Sequence, residues 1–114
     1  MTTVTFFKRA DVYTGFIAKG HAGFDERGKD IVCSSVSILV INTINSIEEI
    51  CHVGFGLTKD DKKGILGIEL NDTEDAGTQL LIRSLMLGLE SIRDEYGKKY
   101  LKVITKEVND NVKA

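Results

Sequence analysis

The chain has 114 residues, of which 42% are hydrophobic and 28% are charged, and its formal net charge is -2. This length and composition are typical of one globular domain, spanning 1–114, with a single hydrophobic core. The slightly acidic balance argues against the broad basic face that nucleic-acid binding requires, so we expect no direct contact with nucleic acid.

Two features predict a cytoplasmic protein with no membrane segment. Met1–Thr5 lacks the basic stretch and the long apolar run of a signal peptide. The longest apolar run, Ile38–Ile41, is far shorter than a membrane span. In the cytoplasm, Cys33 and Cys51 are expected to be reduced thiols rather than a disulfide.

The amino-terminal part of the chain predicts a hairpin followed by a loop. Val4–Arg9 and Tyr13–Lys19 are rich in β-branched and aromatic residues and flank the turn Ala10–Val12, which is typical of a β-hairpin. The next stretch, Gly20–Lys29, has three glycines and four charges and no periodicity. It predicts a loop, and its length for so small a domain suggests a functional role.

An amphipathic helix is predicted after the loop, with Asp30 as its N-cap and Ile31–Cys33 as its first turn. Apolar residues recur at three- and four-residue steps and form one stripe. The stripe consists of Val36, Leu39 or Val40, Ile44, Ile47 and Ile50. Since β-branched residues lower helix propensity, packing must supply the stability of this helix.

The second half of the chain predicts another hairpin, another helix and a last strand. His52–Leu57 and Ile65–Leu70 are strand-like and are separated by the polar turn Thr58–Gly64. Asn71 and Glu74 resemble a capping box before a helix over roughly 73–96, which ends at a glycine. The apolar stripe of this helix consists of Leu81, Leu85, Leu89 or Met86, and Ile92. Tyr100–Val108 predicts a fifth strand, and 109–114 a frayed tail.

The predicted order of elements is therefore ββαββαβ, an α+β fold. Two amphipathic helices packed on one face of a mainly antiparallel sheet form the simplest two-layer sandwich that buries both stripes.

His21 and Cys33 are the strongest candidates for chemistry. In the first turn of a helix, free backbone N–H groups and the positive end of the dipole stabilise a thiolate and could receive an oxyanion. His21 lies at the end of a strand between Gly20 and Gly23, which let a substrate approach closely. A cysteine nucleophile needs a nearby general base, so the pair predicts a catalytic dyad. The alternatives are a packed, inert cysteine and a surface histidine.

Three polar residues lie beside the dyad, and two of them have both a functional and a purely structural interpretation. Asp30 could orient His21 as a third catalytic member, although its role as N-cap explains it fully. Ser37 lies one helical turn after Cys33 and could line the pocket or bond back to the helix. Ser34 is small and leaves the thiol approachable.

Two cysteines and two histidines are also the right inventory for a zinc site. However, Cys51 and His52 are adjacent, so in a strand they would point to opposite faces and could not easily share an ion with His21 and Cys33. The chain also has no CxxC or HxxxH pattern. We therefore predict no metal site and no cofactor.

Several short segments together resemble the ribosomal-processing cysteine protease family (Prp, also called YsxB-like). They are Gly20–Gly23, Gly28, Asp30–Cys33, Val36–Ser37 and, in the second helix, Leu85–Leu89. The similarity covers nearly the whole chain. A departure is Ser34-Ser35, where alanines are common in the family.

The resemblance implies a bacterial, cytoplasmic, homodimeric cysteine endopeptidase. Such enzymes remove the N-terminal extension of a large-subunit ribosomal protein, cutting after a bulky aromatic residue and before a small one. By position, Cys33 is the nucleophile and His21 the general base, and Asp30 and Ser37 support the site or contact substrate. The loop over 22–29 would be a mobile cover. The alternative hypothesis is a non-catalytic, dimeric, ribosome-associated interaction module in which Cys33 is only packed.

Overall fold

The computed structural model describes residues 1–21, 23, 25 and 30–109. They form the predicted order ββαββαβ. The elements are β1 (Thr2–Arg9), β2 (Val12–Lys19), α1 (Ile31–Glu49), β3 (Phe55–Asp60), β4 (Ile65–Leu70), α2 (Ala76–Tyr96) and β5 (Leu101–Glu107). Most of the predicted loop over 22–29, and residues 110–114 of the predicted tail, lie outside the described residues.

The strands form one five-stranded sheet in the order β3-β4-β2-β1-β5. Three of the four neighbouring pairs are antiparallel, and β1 with β5 is parallel. The parallel pair arises because α2 carries the chain across the sheet before β5 begins. The predicted α+β class and the mainly antiparallel sheet are confirmed.

Both helices pack on one face of this sheet. The register aligns Phe6 with Phe16, and Phe16 with Ile68, so these side chains share a face. The buried core joins that face to the inner stripes of α1 and α2. Its members include Val4, Phe6, Phe16, Ile68 and Leu101 from the sheet, Val32, Val36, Val40 and Ile47 from α1, and Ile82, Leu85 and Leu89 from α2. The sandwich is therefore two layers thick.

Helix α1 is, among the described residues, long and apolar enough to cross a membrane by length and composition alone. In this fold it is a core helix, since its inner stripe packs against the sheet and α2. Within that stripe Val40 is buried and Leu39 is half-buried. The predicted membership of Ile50 is wrong, because Ile50 is the C-cap and is 72% exposed.

Strand β3 begins and ends later than the sequence predicts. Residues 52–54 leave α1 instead of joining the sheet: His52 has a φ of +55°, and the Val53 N–H donates to the Ile47 carbonyl at 3.2 Å. The polar residues 58–60, predicted as turn, pair with β4. An edge strand tolerates such polar side chains because one of its sides faces solvent.

The predicted capping box of Asn71 and Glu74 is wrong as well. The N-cap of α2 is Asp75, whose side chain accepts from the Thr78 N–H at 2.8 Å and from the Thr78 hydroxyl at 2.8 Å. These two hydrogen bonds, the hydroxyl first, hold the pKa of Asp75 below its ordinary value of 3.8, and the Cys51 thiol adds a smaller contribution in the same direction. Burial acts against this lowering.

Asp75 should make part of the stability depend on pH. Since its folded-state pKa is lowered, its ionised form stabilises the fold above its ordinary pKa, and this contribution is lost as the pH falls through the lowered pKa. Asp75→Asn keeps a capping side chain but does not titrate there. The stability difference between the wild type and Asp75→Asn should therefore be largest near neutral pH and shrink in acid, as measured by urea denaturation. A difference that stays constant with pH would contradict this assignment.

Candidate active site

A groove lies between α1 and the β3–β4 hairpin, close to the end of β2. Its volume is about 430 Å³. The apolar part of its lining consists of Ala18, Val36, Val40, Ile41, Ile44, Leu57, Ile65 and Leu66. Its polar part comes mainly from Ser37, Asn45, Lys59, Asp60 and Asp61. The groove is therefore an apolar channel with a polar rim, which suits an amphipathic ligand such as a peptide.

Cys33 is the third residue of α1, is half-buried, and lines the groove. The structure corrects one expectation about Cys33, namely that the backbone N–H groups in this first helical turn are free. The Cys33 N–H is not free, because it donates to Asp30 Oδ1 at 2.9 Å. The next amide is also occupied, since the Ser34 N–H donates to the Asp30 carbonyl at 3.0 Å. An oxyanion at this helix end would have to use donors other than these two.

His21 follows β2 and lies in the same groove as Cys33. Its side chain is exposed, and the tip of its ring lies against the β3–β4 turn. An idealised Cβ on Gly64 would stand 3.1 Å from His21 Nε2 and 3.3 Å from Cε1. Among the described residues no hydrogen bond joins His21 to Cys33, so the groove brings the pair together without bonding one to the other.

The two glycines beside His21 have backbone conformations that favour glycine. Gly20 has a φ of +92° and Gly23 a φ of +73°. A Cβ on Gly20 would stand 2.7 Å from the Met1 carbonyl oxygen, so close approach as well as φ requires glycine there. Among the residues that the structure describes, nothing lies within 4 Å of a Cβ on Gly23. Both glycines border the site: Gly20 lines the groove, and Gly23 lines a second hollow that also contains His21 and Cys33.

Asp30, Ser34 and Ser37 also lie around Cys33. Asp30 is buried and caps α1, as predicted. The Ser34 hydroxyl donates to the Asp30 carbonyl at 3.0 Å, so this side chain bonds back to the helix start. Ser37 is exposed and lines both the groove and the second hollow beside Cys33. Asp30 and Ser34 line the second hollow only.

Cys51 and His52 are separate from this site. Helix α1 places Cys51 roughly 27 Å from Cys33, at 1.5 Å per residue. Cys51 packs instead at the start of α2, where a Cβ on Gly77 would stand 3.3 Å from its sulfur. Within the part of the chain that the structure describes, no three His, Cys, Asp or Glu side chains form a group that could hold a metal ion.

Leu57 and Ile41, two exposed apolar residues that line the groove, were not identified from the sequence. Leu57 is 56% exposed on β3, and Ile41 is 48% exposed on α1. A large exposed apolar side chain is uninformative by itself in a sequence, because the pairing of β3 with β4 is what turns Leu57 toward α1. Gly64 was placed in the predicted turn, since a glycine after five charged residues is a usual turn signal, but its place beside His21 was missed.

Comparison with known proteins identifies the family. Residues 1–102 match the family model described as Cysteine protease Prp. The chain belongs to this family. It is similar to the ribosomal processing cysteine protease Prp of Staphylococcus aureus (strain Mu50), with 31% identity over 85 residues, 75% of this chain and 80% of that protein. The protein of the same name from Bacillus subtilis (strain 168) is 33% identical over 96 residues, 79% of this chain and 83% of that protein.

Solved structures agree with this assignment. The crystal structure of S. aureus Prp with a covalently linked product peptide has a TM-score of 0.87 and 28% identity, covering 93% of this chain and 100% of that one. The S. aureus protein with a substrate peptide has a TM-score of 0.82 and 27% identity, with the same coverage. The predicted family, its fold and its cysteine-type peptidase activity are confirmed, and the non-catalytic alternative is not favoured.

The capping role of Asp30 can be separated from its charge. Asp30→Ala should lower the free energy of unfolding by about 1 kcal/mol, the usual cost of losing an N-cap. Asp30→Asn should lower it clearly less than Asp30→Ala does, since asparagine caps as well as aspartate. Urea denaturation measures both.

Asp72→Ala is the matched control for Asp30. Its carboxylate accepts from the Glu74 N–H at 2.8 Å, but Asp72 is exposed and caps no helix. It should change the stability by less than about 0.5 kcal/mol. If Asp30→Asn destabilised as much as Asp30→Ala, the charge rather than the cap would be the stabilising feature.

Proposed function

We propose that this protein is an endopeptidase that removes the N-terminal extension of a large-subunit ribosomal protein, with Cys33 as nucleophile and His21 as general base. One observation carries the proposal: both side chains border one groove, with Cys33 on α1 and His21 on the strand side. Membership of a cysteine protease family supports the reaction. The names of the relatives, and the peptides bound to the S. aureus structures, support the substrate class.

The reaction begins when His21 accepts the thiol proton and the Cys33 sulfur attacks the carbonyl carbon of the scissile bond. The C–S bond forms and the carbonyl π electrons move to oxygen, giving a tetrahedral oxyanion. Its collapse breaks the C–N bond, and the imidazolium of His21 gives its proton to the leaving amine. Water, deprotonated by His21, then attacks the thioester carbon. The thiolate leaves, and a carboxylic acid is released.

The groove supplies the binding surface for the peptide. Its apolar wall, with Leu57 opposite Ile41, suits the bulky side chain that precedes the cut in this family. Gly20 and Gly23 leave space for the peptide backbone beside His21. Around Cys33, Asp30 and Ser34 hold the helix start, and Ser37 offers a hydroxyl on the groove side.

The remaining features of the proposal concern the setting of the protein. Residues 1–114 act as one domain in the bacterial cytoplasm, without a metal or cofactor and without direct binding to nucleic acid or membrane. The active form is a homodimer. The ribosomal processing role and the bacterial source of the relatives support the cytoplasmic setting, and the homodimer rests on the family resemblance.

Removal of either dyad side chain should abolish cleavage. Cys33→Ala removes the nucleophile and His21→Asn the base, so each should lower kcat/KM for a peptide containing the extension at least about a thousandfold. Mass spectrometry of the products checks the single cut. Iodoacetamide should modify Cys33 faster than Cys51, and His21→Asn should slow that reaction.

Cys51→Ala is the matched control, since Cys51 is also half-buried but packs at the start of α2. It should leave kcat/KM within about twofold of wild type. Normal cleavage by Cys33→Ala would end the enzymatic assignment of this residue. Tight peptide binding that survives both dyad substitutions, with no cleavage by the wild type, would instead favour an interaction module.

The apolar wall should contribute to substrate affinity. Leu57→Ser removes apolar contact area, so kcat/KM should fall about five- to thirtyfold, corresponding to a loss of roughly 1–2 kcal/mol. Leu80→Ser is the control, because Leu80 is similarly exposed, on α2, and does not line the groove. Equal effects of the two substitutions would show that Leu57 does not face the peptide.

A further inference from the structure

The backbone just before His21 is held from two sides. The Gly20 N–H donates to the Gly64 carbonyl at 3.0 Å, which extends the β2–β4 pairing by one step past Lys19 and Ile65. The Gly20 carbonyl accepts from the hydroxyl of Thr2, which is buried, at 3.4 Å. Gly20 is therefore fixed between the start of β1 and the β3–β4 turn, and His21 starts from a defined position.

The imidazole itself rests on Gly64. A Cβ at Gly64 would be 3.1 Å from Nε2 and 3.3 Å from Cε1 of His21, and 3.1 Å from the Gly20 carbonyl oxygen. These distances are shorter than ordinary contacts, so the ring or the backbone beside it would have to shift by a few tenths of an ångström. A rotation of the ring by 180° exchanges Nε2 with Cε1 and leaves this contact in place. His21 is exposed, and within the described part of the chain it makes no hydrogen bond or ion pair. The turn is thus a principal support of the ring.

The turn is shaped by its own contacts rather than by His21. The Lys63 N–H donates to Asp60 Oδ1 at 3.1 Å, and the Gly64 N–H donates to the Asp61 carbonyl at 3.4 Å. Gly64 has a φ of +64°, a conformation that glycine adopts at no steric cost. Asp60 pairs with Ile65 at the base of the hairpin. This local bonding makes the turn a firm platform for the ring.

A small displacement of the β3–β4 turn would move the His21 ring and so change the rate of the proposed reaction. A general base must come within about 2.6–3.2 Å of the proton it accepts. A misplacement of about 1 Å can cost a hundredfold in rate. Gly64 lines the same groove as His21 and Cys33, so the platform and the reacting groups border one space.

We propose that Gly64 is a positioning residue for proteolysis: the glycine turn between β3 and β4 seats the His21 imidazole toward the Cys33 side of the groove. This rests on the proposed role of His21 as general base. Glycine is favoured on two counts, since its φ is positive and a Cβ would crowd both the His21 ring and the Gly20 carbonyl oxygen that precedes it. The far hairpin is then part of the catalytic apparatus and not only a wall of the groove.

Two substitutions at this position test the proposal. Gly64→Ala and Gly64→Asn both introduce a Cβ against the ring, but asparagine tolerates a positive φ better. Both should lower kcat by about tenfold or more because the ring moves, and the change in KM should be smaller than the change in kcat, since Gly64 is one of many residues that line the groove. If backbone strain alone were responsible, Gly64→Asn would recover most of the activity.

Gly97→Ala is the matched control for strain. Gly97 has a φ of +121° at the C-cap of α2, and a Cβ there would make only an ordinary contact, 3.6 Å from the Tyr100 ring. This substitution should lower the thermal midpoint and leave kcat within about twofold of wild type. A comparable loss of kcat in Gly97→Ala would attribute the Gly64 effect to general destabilisation and overturn the proposal.

A measurement without substrate separates this proposal from the proposed function. In the wild-type protein, NMR should detect a nuclear Overhauser effect between the His21 Cε1 proton and the Gly64 Hα protons. The Cε1 signal, assigned with His21→Asn, should shift in Gly64→Ala or Gly64→Asn. If the wild type fails to cleave the peptide, the proposed function is wrong, but the Overhauser effect still shows whether the His21 ring contacts Gly64. A missing Overhauser effect, or an unmoved His21 signal with unchanged kcat in a folded Gly64 variant, would overturn the seat itself.

Discussion

The burial of one stripe of α1 against the sheet is the constraint on which the rest of the molecule depends. Val32, Val36, Val40 and Ile47 are each at most 4% exposed, and such side chains contribute roughly 1.5–3 kcal/mol each when fully buried. These residues are β-branched and poor intrinsic helix formers, so the helix exists because it is packed. With 3.6 residues per turn, the same packing directs Cys33, Ser37 and Ile41 to one border of the stripe. The packing of the core thereby places the Cys33 thiol at the groove.

The histidine is placed by a different set of contacts. Hydrogen bonding between β2 and β4 carries the chain to Gly20, and one further bond joins Gly20 to Gly64. His21 therefore belongs to the sheet, and Cys33 belongs to the helix layer. The proposed dyad spans the two layers of the sandwich, so its geometry depends on how α1 packs over the strands rather than on either element alone.

The two cysteines show how the environment separates a candidate nucleophile from a packed thiol. Cys33 has Asp30 beside it, but that carboxylate accepts from the Cys33 backbone N–H and completes the helix cap. Cys51 lies instead at the start of α2, where its thiol makes a small contribution to lowering the pKa of Asp75. Both thiols are half-buried. Only Cys33 lies in the groove with a histidine among the described residues, so burial alone does not distinguish them.

Much of this protein was determined locally, and local features are what the sequence reveals. The apolar period of α1, the Asp30 cap and the glycines around His21 act within a few residues, so the order of elements and the family could be recognised from the chain, and the dyad could be predicted. Three predictions were wrong: the capping box at Asn71, the end of β3, and the inclusion of Ile50 in the apolar stripe of α1. At each of these places several neighbouring polar or apolar residues fit the same local pattern equally well. Their positions depend on which strand or helix they meet.

The seat of His21 on Gly64 joins residues 43 positions apart, and the wall of Leu57 and Ile41 joins residues 16 positions apart. Hydrogen bonds between strands decide those pairings, and no local periodicity encodes them. The sequence by itself therefore determined the family and the candidate side chains for the chemistry, whereas the tertiary structure alone decided what surrounds and orients them.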